Sequence, residues 1–142
     1  MYKNKRILCI IPARGGSRRL PGKNIKNIDG KPMIAHAVLA AKGSKYVDRV
    51  IVSTDDMAIA KVARKYGVEV PFMRPAELAS DTADTLSVLQ HAVAHVENKD
   101  KFKPNLVVLI QPTNPLVRTE DIDGTIEKLI ETKTNSCFTV SE

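Results

Sequence analysis

The 142-residue chain has no tryptophan, three phenylalanines, three tyrosines and two cysteines. So few aromatic rings, none interleaved with the basic residues, cannot build the stacking platform that single-stranded nucleic acid requires. Cys9 and Cys137 lie far apart in strand-like segments without CxxC spacing, which removes a redox or zinc motif. They are read as reduced, buried thiols of an intracellular protein. No apolar run approaches the roughly 20 residues that span a bilayer. The basic MYKNKR start passes through a short apolar stretch straight into polar sequence, unlike a secretory leader. A cytoplasmic protein with neither a membrane nor a nucleic-acid partner is expected. His91 and His95 have helical i, i+4 spacing, but HAVAH lacks the glutamate of a zinc-protease helix. Both are read as surface residues, and His36 as part of an amphipathic helix.

What is present is an ordinary globular composition, 43% hydrophobic and 27% charged, long enough for one domain with a substantial core. Short β-rich runs at 7–11, 47–53, 68–70, 106–110 and 137–140 alternate with helical periodicity. Met33, Ile34, Ala37, Val38 and Ala41 share a helix face, stopped by Gly43. Asp55 and Asp56 precede a second helix that ends at Gly67, where acidic residues suit the positive end of the dipole. From Asp84 a third helix aligns Leu86, Leu89, Val93 and Val96. A fourth runs over 119–132, with Thr119 as cap and Ile122, Ile126, Leu129 and Ile130 inward. The alternation predicts an α/β fold, a three-layer α/β/α sandwich around a mostly parallel sheet. Ligands bind outside the carboxyl ends of such strands. Three polar segments fall there: the loop after Ile11, Ser53 to Asp56, and QPTNP from Gln111.

The first of these, IPARGGSRRLPGKNIKNIDGK, is too long and too basic for an ordinary connection. It concentrates Arg14, Arg18, Arg19, Lys23 and Lys26 in a chain of net charge +6, which suits a compact polyanion. Walker A spacing fails, because Gly16 and Gly22 stand one residue too far apart and Asn24 follows Lys23. The dinucleotide fingerprint fails as well, with Ser17 two residues after Gly15. Yet Gly15 and Gly16 allow backbone N–H groups to approach an anion, and Ser17 adds a hydroxyl. Arg14 offers a bidentate fork and Lys23 a point charge.

PARGGSRRLPGKN resembles the opening motif of the acylneuraminate cytidylyltransferases, the CMP-sialic acid synthetases. The likeness continues in order through STDDMAIAKVARKYGVEV, RPAELASDTADT and QPTNPL. It is closer to the activators of nine-carbon acidic sugars than to those of eight-carbon Kdo. The Kdo enzymes carry an aspartate motif where this chain has Gln111-Pro112-Thr113.

The resemblance implies a Rossmann-like nucleotidyltransferase fold and transfer of CMP from CTP to an acidic sugar, with release of pyrophosphate. It implies that Arg14 and Lys23 hold the triphosphate, supported by Ala13, Gly15, Gly16, Ser17, Arg18 and Asn24. Arg74, Ser80 and Asp81 match the nucleotide-base segment, although Ser80, Asp81 or Thr82 can equally begin the following helix. Gln111 and Thr113 match the segment that approaches the sugar. Val117 separates Leu116 from Arg118, so Arg118 is given no role. Asp55 and Asp56 are read as helix-initiating, not as metal ligands. Mg²⁺ is expected, with its protein ligands, sugar-carboxylate contacts and a homodimer interface beyond residue 142. The chain is thus expected to be an amino-terminal portion, weak or dead in catalysis by itself. Two alternatives stand beside this: a non-catalytic nucleotide- or RNA-binding module, and a related sugar nucleotidyltransferase that uses another base.

Overall fold

A computed structural model of the chain describes residues 2–15, 26–80, 83–112 and 117–132. Strand β1, Ile7–Pro12, forms the middle of a parallel sheet. Strand β4, Arg49–Ser53, pairs along one edge and β5, Leu106–Leu109, along the other. The near-continuous apolar run of β1 suits a strand covered on both faces. Ile7, Cys9 and Ile11 enter one core cluster, Leu8 and Ile10 the other. Each such buried aliphatic side chain contributes about 1.5–3 kcal/mol relative to exposure.

Helices α1 (Met33–Lys42), α2 (Met57–Lys65) and α4 (Thr119–Thr132) cover the first face. Helix α3, Thr85–Asp100, covers the second through Ala92 and Val96. The expected α/β/α sandwich is therefore present.

Particular elements differ from the sequence reading. Residues 68–70 do not form a strand; Glu69 makes an isolated parallel bridge to Ile51, its carbonyl accepting from Val52 N–H at 2.9 Å. Pro71 follows, and without an N–H it gives the ladder nothing to continue with. The segment before α1 contains a hairpin of β2 (Asn27–Ile28) and β3 (Lys31–Pro32). Its turn residues Asp29 and Gly30 have φ of 55° and 83°. Asp-Gly between paired residues is a strong hairpin signal, and it stood in the sequence unread. His36 Nε2 ties α1 to this hairpin through the Ile28 carbonyl at 2.6 Å.

Leu86, expected inward, is 64% exposed. The buried arc of α3 follows Val88, Ala92 and Val96, and at about 100° per residue Leu86 sits roughly 200° from Val88. Thr119 opens α4 without capping it; its hydroxyl donates to the Ala40 carbonyl at 2.8 Å. This contact also explains Gly43, where a Cβ would lie 2.6 Å from Thr119 Oγ1. Gly67 ends α2 as expected, with φ of 84° just past the cap residue Tyr66.

Cys9 is buried, and burial pushes its thiol up to about 12. The native protein should accordingly leave Cys9 unalkylated by iodoacetamide at pH 8, since the thiolate is the nucleophile. Peptide mass spectrometry with and without denaturant checks this; modification of native Cys9 would contradict the packing. Cys137 lies outside the described residues.

Candidate functional site: the strand ends of β1 and β4

The chain passes from β1 to β4 on one side and then crosses to β5 on the other, which puts the switch point of the sheet between β1 and β5. The crevice at such a switch point, past the carboxyl ends of the strands, is the expected ligand site of an open α/β sheet. At the carboxyl ends of the strands, Ala13, Arg14 and Gly15 follow β1, Ser53 to Asp56 close β4, and Gln111 follows β5.

The β4 end organises its neighbours. Ser53 and Thr54 are polar yet completely buried. The Ser53 carbonyl accepts from Ala13 N–H at 2.9 Å and from Arg74 Nη2 at 2.7 Å, so both its lone pairs are engaged. Arg74, only 7% exposed, also donates through Nε to Ser53 Oγ at 3.2 Å and through Nη1 to the Leu78 carbonyl at 3.2 Å. Its own N–H bonds Thr54 O at 2.7 Å. One buried guanidinium thus fastens a single 3₁₀ turn, Ala76–Leu78, to the β4 end. Burial lowers the Arg74 pKa from its ordinary value; the Asp55 carboxylate opposes that change and the Arg14 cation adds to it. Those influences put Arg14, Asp55 and Arg74 within one electrostatic neighbourhood.

The two aspartates of STDD divide their tasks. Asp56 caps α2, its Oδ1 accepting from Ala58 N at 2.7 Å and Ile59 N at 3.3 Å. Asp55 does not touch that helix start. Its Oδ1 accepts from Gly15 N–H at 3.0 Å, reaching across from β4 to β1. Gly15 also packs so tightly on Asp56 that a Cβ there would lie 2.8 Å from Asp56 Cγ. Hence Gly15 serves close approach of two loops, and its N–H points at a carboxylate.

The structure thus groups Ala13 (buried), Arg14 and Gly15 (half-buried) with Arg74. Gln111 is exposed at the end of β5, on the opposite side of β1 from Arg74. Ser80 is exposed beyond the 3₁₀ turn. The cap of α3 is Asp84, which accepts from Ser87 N at 2.6 Å, so helix initiation does not account for the segment from Ser80. Gly16, Ser17, Arg18, Lys23, Asn24, Asp81 and Thr113 lie outside the described residues. Arg118 is largely exposed and lies 3.6 Å from Asp121.

Sequence reasoning missed the engagement of Asp55 with Gly15, for which no local signal exists. It also placed His91 and His95 on the surface. Both are half-buried against Phe72, with ring centroids at 4.8 Å. His91 Nδ1 is buried without a hydrogen-bond partner among the described residues. Burial, then the neighbouring His95 and Arg74, lowers its pKa, while Glu77 opposes.

A parallel α/β sheet covered by helices on both faces, with Arg14 leaving the carboxyl end of its central strand, defines a Rossmann-like fold. Residues 8–141 match the family model described as Cytidylyltransferase, and the chain belongs to that family. It is 43% identical over 122 residues to CMP-N,N'-diacetyllegionaminic acid synthase of Legionella pneumophila, covering 86% of this chain and 52% of that one. It is 37% identical over 135 residues to pseudaminic acid cytidylyltransferase of Campylobacter jejuni serotype O:2, covering 95% and 58%. Among solved structures, CMP:2-keto-3-deoxy-manno-octonic acid synthetase complexed with CTP superposes with a TM-score of 0.72 at 28% identity. That match covers 91% of this chain and 49% of the other. The chain spans about half the length of the curated relatives it matches.

Proposed function

We propose that this chain supplies the nucleotide-binding part of a cytidylyltransferase that moves CMP from CTP to the anomeric hydroxyl of a nine-carbon acidic sugar of the sialic acid type. The observation that carries this is Arg14 leaving the carboxyl end of the central strand, beside a β4 end fixed by buried Arg74, in a chain of the Cytidylyltransferase family. The names of relatives that act on legionaminic and pseudaminic acids support the sugar class. Gln111 in place of the Kdo-type aspartate agrees with it.

In this reading the sugar hydroxyl oxygen attacks the α-phosphorus in line and the bond to pyrophosphate breaks. Negative charge grows on the non-bridging and leaving oxygens, so fixed cations aimed at them lower the barrier. Arg14 holds the triphosphate with Lys23, and Gln111 and Thr113 face the sugar. Arg74 holds in place the 3₁₀ turn that leads into Ser80, the start of the base-side segment. Mg²⁺ bound together with the triphosphate would add positive charge against the negative charge that develops there. Among the described residues no group of three His, Cys, Asp or Glu is placed to hold a metal, and Asp55 and Asp56 accept protein N–H groups. The natural protein is proposed to act as a cytoplasmic homodimer; no helix among the described residues is long and apolar enough to cross a membrane.

A thermal-shift panel of CTP, UTP, ATP and GTP with Mg²⁺ tests the reading. A ligand that binds only the folded state at 100 times its Kd adds about 2.7 kcal/mol, roughly 5–10 °C in Tm for a chain of this size. CTP should give that shift and the others much less. Equal shifts for all four, or none, would refute it.

A further inference from the structure

The carboxylate of Asp55 has no evident place in this function. An exposed negative charge beside a triphosphate site repels the ligand that the site is built to hold. Its geometry supplies a reason. Where β1 leaves the sheet, Ala13 N–H donates to the Ser53 carbonyl at 2.9 Å. Two residues later Gly15 N–H donates to Asp55 Oδ1 at 3.0 Å. Arg14 lies between these bonds; one acceptor is the last residue of β4 and the other stands two residues beyond it. Behind Gly15 stands the Asp56 side chain, itself fixed by capping α2. The backbone on either side of Arg14 is therefore tied to buried Ser53 and to Asp55 just beyond it, with a wall at its back.

We propose that Asp55 is a positioning residue: by accepting the Gly15 N–H it completes the clamp around Arg14 and fixes where that guanidinium meets the triphosphate. The inference rests on the role given to Arg14 above. It deepens that role by locating its control 40 residues away in sequence. The carboxylate also favours the charged form of Arg74 while Arg14 disfavours it, so a negative group stands among cations that repel one another.

Two substitutions in the natural protein separate the bond from the charge. Asp55→Asn keeps an acceptor oxygen for Gly15 and removes the charge, whereas Asp55→Ala removes both. Because small misplacements at a reacting centre cost up to about 10²-fold, Asp55→Ala should lower kcat/KM for CTP at least about tenfold. Under saturating CTP its KM for the sugar should stay within about twofold, a split that general loss of structure would not produce. Asp55→Asn should remain within about threefold of wild type in both. Amide hydrogen exchange at Gly15, measured without nucleotide, should be slow in wild type and Asp55→Asn and faster in Asp55→Ala. Unchanged kinetics in Asp55→Ala would overturn the proposal, as would an Asp55→Asn loss equal to that of Asp55→Ala. Fast Gly15 exchange in wild type would overturn it too. Should wild type not turn over CTP, the functional reading fails, while Gly15 exchange still decides whether the clamp exists.

Discussion

Arg14→Ala in the natural protein should lower kcat/KM for CTP by about 10²–10³-fold, the usual cost of removing one preorganised donor from a transition state. The cause is the placement of the side chain. Arg14 leaves the central strand between two N–H groups that donate to the Ser53 carbonyl and the Asp55 carboxylate, so little reorganisation is needed when charge develops on the phosphate oxygens. Arg14→Lys should recover only part of the loss, because a point charge cannot reproduce a bidentate fork. Steady-state pyrophosphate release against CTP concentration measures both variants. The Tm without nucleotide should change little, which separates this variant from a folding defect. A loss of less than about fivefold for Arg14→Ala would remove the residue from the chemistry.

Arg74→Ala should have the largest effect on stability, a loss of about 2–4 kcal/mol. Its guanidinium makes three bonds inside the protein, to Ser53 Oγ, Ser53 O and Leu78 O. Truncation leaves those acceptors under-satisfied at a fully buried residue and opens space where the fork lay. For a chain of this length the Tm should fall by roughly 5–15 °C. Arg74→Lys should rescue little of it, since one ammonium cannot reach acceptors spread over two segments. Differential scanning calorimetry of the nucleotide-free protein gives the answer; a Tm within about 1 °C of wild type would show that the buried fork contributes nothing to folding.

Much of the fold was legible because its signals are local. β1 reads as a doubly covered strand from five consecutive apolar residues, and both of its faces are buried. Asp56 behaves as the helix cap that its position before an apolar run suggests. The errors arose where a local pattern was taken too far. Leu86 carries the right residue type but falls off the buried arc, because burial is set by which turns of α3 touch the sheet. Residues 68–70 carry strand propensity, yet pairing needs donors and a facing edge, and only Glu69 meets one.

The same division runs through the candidate site. The linear order of amino acids determined that β1 would end in a glycine-bearing basic segment and that a cytidylyltransferase family pattern ran the length of the chain. Hydrophobic period and motif spacing are written within a few residues, so they survive without coordinates. Only the tertiary structure decided that Asp55 meets Gly15 across 40 residues and that Arg74 closes on Ser53 across 21. A hydrogen-bond donor specifies what kind of partner it needs but not which one; that choice falls to the packing that brings strand ends together.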